Sequence, residues 1–153
     1  MATEIEHKYL VISEEYKSLA TKQIHICQGY LSKDKERTVR IRIADDKAFI
    51  TIKGENAGDT RPEYEYSIPL NEAQEILQQL CLTPIIDKTR HIVEYNGNTW
   101  EIDEFHGALE GLTLAEIELP LSKYKYDIPP FIGKNVTNDA RYYNSNLIDK
   151  IPN

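Results

Sequence analysis

Read two residues at a time, this chain separates its charges from its apolar groups along most of its length, a period that an extended strand produces and a helix does not. On one parity stand Glu4, Glu6 and Lys8, then Arg40 and Arg42, Thr51 and Lys53, Glu63 and Glu65, Lys88 and Arg90, Glu101 and Asp103, and Glu116 and Glu118. The opposite parity carries Ile5 and Tyr9, Val39, Ile41 and Ile43, Ile50 and Ile52, Tyr64, Tyr66 and Ile68, Trp100 and Ile102, and Ala115, Ile117 and Leu119. The spacing predicts strands near residues 3–12, 23–32, 37–44, 47–54, 62–68, 85–95, 98–105 and 113–121. Asp45-Asp46 and Asn96-Gly97 separate neighbouring runs closely enough for hairpins, so the expected sheet is antiparallel. The expected fold is α+β: an eight-stranded antiparallel β-barrel with a charged lumen and helices over part of its apolar exterior.

Three segments read as helices. Ser13 is placed to cap Glu14–Ala20, Asn71 to cap Glu72–Leu82, and Thr137 or Asn138 to cap a final helix reaching about Lys150. The apolar stripes Ala73, Ile76, Leu77 and Leu80, and Tyr143, Leu147 and Ile151, are expected to face the core. No linker or repeat divides the chain, so residues 1–153 are expected to form a single domain. No apolar run approaches the roughly 18 residues of a membrane span, and Met1–Glu6 lacks a basic and apolar leader. The expectation is a cytoplasmic chain with no membrane partner and with Cys27 and Cys81 reduced. An outer-membrane barrel would also be polar inside and apolar outside, but the helical segments and short strands argue against it.

A face that merely meets water accounts for alternation on one strand. It does not account for like charges recurring two apart on six of these seven strands, because such pairs repel one another. Each pair is explained if it grips something of opposite sign. Arginine and lysine suit phosphate oxygens, and paired carboxylates suit a hard divalent cation such as Mg²⁺ or Mn²⁺. A polyphosphate with its metal satisfies both sets, and the lumen of an eight-stranded barrel admits one small ligand. The 25 acidic against 18 basic residues, a net −7, exclude a broad nucleic-acid-binding surface. Of the ten tyrosines, Tyr64 and Tyr66 fall on the apolar parity, whereas Tyr30 is ambiguous. His7, His25, His91 and His106 share neither parity nor ligand spacing and read as surface or packing residues.

The Glu4-Ile5-Glu6-His7-Lys8 run resembles the ExExK opening of the CYTH superfamily, the triphosphate tunnel metalloenzymes. It is followed in family order by Gln28-Gly29-Tyr30-Leu31, Val39-Arg40-Ile41-Arg42, Thr51-Ile52-Lys53, Glu63-Tyr64-Glu65, Lys88-Thr89-Arg90, Glu101-Ile102-Asp103, Glu116-Ile117-Glu118 and Val136-Thr137 to Arg141-Tyr142. The resemblance implies a barrel that binds triphosphate and Mg²⁺ or Mn²⁺. It implies Glu4, Glu6, Glu116 and Glu118 as metal carboxylates, with Asp103 a further contributor. It makes Lys8, Arg40, Arg42, Lys53, Lys88, Arg90 and Arg141 the phosphate clamp, and Glu63 and Glu65 acidic lumen residues with no single role assigned. Glu101 has the right parity and weaker motif support, and Ala140 stands where a basic residue is frequent. Glu4, Glu6 and Lys8 are the expected catalytic positions, with Lys8 a candidate base if crowding by Arg40 lowers its pKa. The short chain is most similar to the small bacterial inorganic triphosphatases, with hydrolysis of tripolyphosphate the leading expectation. Class IV adenylate cyclase, thiamine triphosphatase and a non-catalytic polyphosphate or nucleotide-binding module are the alternatives.

Overall fold

A computed structural model describes residues 2–150. Nine strands are formed: β1 (Thr3–Val11), β2 (Lys22–Asp34), β3 (Arg37–Ala44), β4 (Lys47–Lys53), β5 (Thr60–Ile68), β6 (Leu82–Tyr95), β7 (Asn98–Phe105), β8 (Thr113–Glu118) and β9 (Ile132–Asn135). The first eight lie in the spatial order β5-β4-β3-β2-β6-β7-β8-β1, and β1 pairs back onto β5 to close an antiparallel barrel. Closure places Glu4 opposite Arg61, and the β1–β8 register places Lys8 opposite Glu116. The far edge of β1 is divided between two partners, with Thr3–Ile5 on β5 and Tyr9–Val11 on β9. Between them the Glu6 N–H donates to the Asp59 carbonyl and the Lys8 N–H to Thr137 Oγ1, so the backbone is satisfied where the ladder changes hands. The four-residue β9 was not expected, because Ile132-Gly133-Lys134-Asn135 carries no alternation to read.

Three apolar clusters hold the barrel. Outside β1, β6, β7 and β8, residues Tyr9, Val93, Trp100, Ile102, Ala115 and Ile117 pack beneath Tyr16 of α1 (Tyr16–Leu19) and beneath Leu119, Phe131 and Ile132. Outside β3 and β4, Ile41 and Ala48 pack on Ala73 and Leu77 of α2 (Leu70–Gln79). The third cluster lies on the lumen parity: Ile86, Phe105 and Leu114, with Tyr30, meet Leu147 of α3 (Asn144–Leu147) and Ile148, and so close one end of the barrel.

The helices depart from expectation in extent. The first spans only Tyr16–Leu19, with Ser13 Oγ reaching the Glu15 N–H at 3.4 Å. The second is preceded by Pro69 rather than capped by Asn71, and it ends before Leu80, which is exposed. The expected last helix is broken into a 3₁₀ turn at Ala140–Tyr142, then α3, then a 3₁₀ turn at Ile148–Lys150. Asp139 starts that first turn by accepting from the Arg141 N–H. Ile151 lies outside the described residues. On the exterior, Ile52, Tyr64 and Tyr66 were expected in the core, yet they are 39%, 40% and 59% exposed. The ten-residue α2 is too short to cover that part of the β4–β5 wall.

At Gly29 on β2, an added Cβ would lie 2.7 Å from Ile85 Cδ1 and 3.0 Å from Leu77 Cδ2 of α2, so a side chain here would displace both. Gly29→Val should lower the unfolding free energy by about 1–3 kcal/mol in urea denaturation.

Candidate active site

The order of strands around the barrel sorts the lumen charges into two arcs. Adjacent strands β7, β8, β1 and β5 bring Glu101, Glu116, Glu118, Glu4, Glu6 and Glu63 to one side. Strands β4, β3 and β6 bring Lys53, Arg40, Arg42 and Arg90 to the other. The enclosed cavity is about 360 Å³ and is lined by eight carboxylates and six cations. Two cations, Lys8 and Arg61, are set within the acidic arc; Lys8 Nζ lies 3.4 Å from Glu116 Oε1 and donates to the Tyr142 carbonyl at 3.0 Å.

The deepest charges form a closed network. Asp103, 1% exposed, accepts from Arg90 Nε at 2.8 Å, Arg90 Nη2 at 2.9 Å and Lys88 Nζ at 2.7 Å. Lys88 Nζ also donates to Asn144 Oδ1 at 2.8 Å, and that oxygen accepts from Gln28 Nε2 at 3.1 Å. The Gln28 carbonyl oxygen takes Arg42 Nε at 2.9 Å. Burial opposes the charge on Asp103, but Arg90 and Lys88 outweigh it and hold the carboxyl at about 2. Burial, with Arg90 and Arg42 nearby, pulls Lys88 down to about 7 against the pull of Asp103. Arg42 is lowered to about 10, first by burial and then by Arg40 and Arg90. Neither Arg42 nor Arg61 has a carboxylate within ion-pairing distance among the described residues, and Arg40 Nε is buried with no partner. Arg40 Nη2 does lie 3.7 Å from Glu65 Oε2, so it is Arg42 and Arg61, and not Arg40, that lack an ion pair among the described residues.

Nearer the mouth, Lys53 Nζ lies 3.0 Å from Glu4 and 3.3 Å from Glu63. Glu4, Glu63 and Glu118 each offer a carboxylate oxygen within 4.8 Å of the other two. Burial and then Glu4, Glu101 and Glu63 push Glu118 up to about 7. Burial, Glu116 and Glu4 push Glu6 well above the carboxylate range. Burial raises Glu4 too, but Lys53 outweighs it and the net shift is downward. Glu118, Glu63 and Glu6 resist ionising together, and a hard divalent cation relieves such an all-oxygen set, so these residues fit Mg²⁺ or Mn²⁺. Glu116 behaves oppositely: burial raises it, but Lys8, Arg90 and Lys88 hold it well below the usual range.

The structure brings Glu4, Glu6, Lys8, Arg40, Arg42, Lys53, Glu63, Glu65, Arg90, Glu101, Glu116 and Glu118 to one cavity, with Lys88 and Asp103 beneath it. Two expected members stand apart. Arg141 does not line the cavity: its side chain is 70% exposed and its Nη2 lies 2.6 Å from Asp139 Oδ2. Asp103, expected to contribute to metal binding, has both oxygens taken by Arg90 and Lys88. Crowding by Arg40 was expected to lower the Lys8 pKa; burial does act downward, but Glu116 and Glu6 reverse it and the net shift is upward. Sequence reasoning missed Arg61, which shares the parity of Glu63 and Glu65, because β5 begins at Thr60 and not at Pro62. It also missed Thr137, Tyr143, Asn144 and Ser145, which reach the cavity from irregular chain that no periodicity marks, whereas Tyr30 proves to be a lumen residue.

Three comparisons bear on this arrangement. The CYTH domain family matches residues 2–152. The chain is 49% identical over 148 residues to an inorganic triphosphatase of Acetivibrio thermocellus, covering 97% of this chain and 94% of that protein. It is 34% identical over 155 residues to an inorganic triphosphatase of Nitrosomonas europaea, covering 98% and 99% respectively. A crystal structure of an inorganic triphosphatase superposes with a TM-score of 0.69 at 30% identity, covering 100% of this chain and 99% of that one. A Pyrococcus horikoshii protein, 22% identical with a TM-score of 0.60 over 78% of this chain and 79% of its own, shares the fold. With its charged barrel and a family match that spans nearly every residue, this chain belongs to the CYTH domain family.

Proposed function

We propose that the protein hydrolyses inorganic tripolyphosphate to pyrophosphate and phosphate, with Mg²⁺ or Mn²⁺ as cofactor. The observation that carries the reading is the facing of a cationic arc with unpaired guanidinium groups and an oxygen-only carboxylate cluster across one small cavity. The two relatives named inorganic triphosphatases support it through their match over nearly the whole chain.

Arg40, Arg42, Lys53, Arg61 and Arg90 neutralise and align the phosphate chain, and alignment with electrostatic stabilisation is most of what phosphoryl transfer requires. Lys88, buried beneath them, adds charge from below when protonated. Lys8 serves as a fixed cation, since Glu116 and Glu6 keep its ammonium protonated. Glu4, Glu63 and Glu118 hold the cation, with Glu6 and Glu116 beside them. When bound, a divalent ion supplies charge neutralisation at phosphate oxygens and acidifies water. Asp103 orients Arg90 and Lys88.

Purified protein with Mg²⁺ or Mn²⁺ is incubated separately with tripolyphosphate, ATP and thiamine triphosphate, and phosphate, pyrophosphate and cyclic AMP are measured. Phosphate and pyrophosphate from tripolyphosphate are expected. Cyclic AMP from ATP, or tight binding with no product, overturns the proposal.

Arg42→Ala should lower kcat/KM at least ~100-fold, whereas Arg141→Ala should change it less than about threefold. Glu118 sets the pH dependence of metal binding. Below about 7 its carboxyl holds a proton that the cation must displace, so Mn²⁺ affinity, followed by electron paramagnetic resonance, should rise from pH 6 to 8 and then level off. Asp103→Asn should cost about 3–5 kcal/mol of stability by removing the shared carboxylate of Lys88 and Arg90, with Arg90 left to Glu101 and Glu116, and should leave the Mn²⁺ stoichiometry unchanged. Because the folded Asp103 carboxyl titrates near 2, its contribution is full above about pH 4 and is lost as pH falls toward 2.

A further inference from the structure

The outer wall of the barrel carries a second set of ligand atoms, chemically unlike those in the lumen. On β2, Ile26 and Gln28 turn inward and are buried, which leaves His25 and Cys27 on the outer face. Cys27 is paired across the sheet with Asp87 of β6, whose neighbour Lys88 turns into the lumen. His25 Nε2 lies 2.8 Å from Asp87 Oδ1, and Cys27 Sγ lies 3.9 Å from His25 Nε2 and 3.9 Å from Asp87 Oδ2. One donor atom from each residue falls within 4.8 Å of the other two.

We propose that His25, Cys27 and Asp87 form a binding site for a borderline divalent transition-metal ion of the Zn²⁺ class, separate from the hard-cation site in the lumen. The bond lengths of tetrahedral zinc put its ligand atoms about 3.3 Å apart for nitrogen and oxygen and about 3.5 Å apart for sulfur and either. The observed separations differ from these by about half an ångström or less when the nearer Asp87 oxygen is taken for each contact, Oδ1 for His25 and Oδ2 for Cys27, so rotation of the exposed Asp87 carboxylate would bring one oxygen to both. The backbone that carries them need not move. The His25 N–H already donates to Asp45 Oδ1 at 3.0 Å, and the Asp45 N–H donates to the His25 carbonyl at 2.9 Å.

Ligand softness separates this site from the lumen. Thiolate and imidazole favour zinc-like ions, whereas carboxylates alone favour Mg²⁺ and Mn²⁺. Binding replaces protons with metal: the Cys27 thiol gives its proton to solvent, and His25 coordinates through Nε2 with its proton on Nδ1. The side chains of His25 and Asp87 are 58% and 49% exposed, so a fourth position faces water. The ion would join β2 to β6 on the wall directly behind Lys88. The i, i+2 spacing of His25 and Cys27 was in the sequence, but the third ligand comes from a strand 60 residues away, and only the register supplies it.

The test uses the full chain in excess Mg²⁺, which engages the lumen carboxylates, titrated with Co²⁺ as a coloured stand-in for Zn²⁺. One equivalent should bind with a sulfur-to-metal absorption band in the near ultraviolet, and Zn²⁺ should displace it. Cys81→Ser should keep the band, Cys27→Ser should abolish it, and His25→Ala should weaken binding at least ~10-fold. Mg²⁺-dependent hydrolysis and the far-ultraviolet circular dichroism of all three variants report that they fold. In the unmodified protein, Zn²⁺ should protect Cys27, and not Cys81, from alkylation as read by mass spectrometry. Absence of the band, its survival in Cys27→Ser, or equal alkylation of Cys27 with and without Zn²⁺ overturns the proposal.

Discussion

Asp103 makes the lumen of this barrel tenable. Two cations stand two residues apart on one strand, both withdrawn from water, an arrangement that repulsion and desolvation together oppose. A carboxylate directly across the sheet from Arg90 and within reach of Lys88 reverses that balance. A buried ion cluster of this kind seldom stabilises a protein beyond what well-packed apolar side chains would, so its use is positional. It fixes the height and direction of the cationic arc. Both Asp103 oxygens are consumed by Arg90 and Lys88, so the carboxylates with oxygens nearer the mouth are other ones. Carboxylates and cations gather on facing sides of the cavity, although they alternate along the chain.

The acidic surplus inside the cavity follows the same logic. Carboxylates outnumber cations there, and several are pushed toward the neutral form by one another. An anion alone would enter an unfavourable field, and a divalent ion alone would meet guanidinium groups opposite. Each makes the site acceptable to the other, so binding of the two is expected to be mutually reinforcing.

Parity made much of this legible in the sequence. A period of two sorts inside from outside with no further information, and hairpin turns order most of the strands, which is why the charged residues from Glu4 to Glu118 converge as expected. What escaped has physical reasons. Arg61 precedes Pro62, which reads as a strand boundary, although β5 begins two residues before it at Thr60, and Pro62 stands just past the end of the β4 ladder, where a missing N–H costs no ladder bond. Asn144 and its neighbours act from short irregular turns, where a contact depends on tertiary placement alone. Arg141 was carried into the clamp by motif position, but a local bond to Asp139 two residues away turns it outward. Tyr64 and Tyr66 obey the alternation and remain exposed, because parity names the face of a sheet and cannot say whether anything lies over it.

The apolar cluster on the lumen parity gives the barrel a floor. Ile86, Phe105 and Leu114 close that end together with Leu147 and Ile148. A tube stopped at one end has a single doorway. A linear anion enters it by a terminus and not by threading through, so any chain longer than the cavity keeps its remainder outside. On the proposed reaction, product formed deepest would leave after product nearer the opening, an order of release that an open tube would not impose.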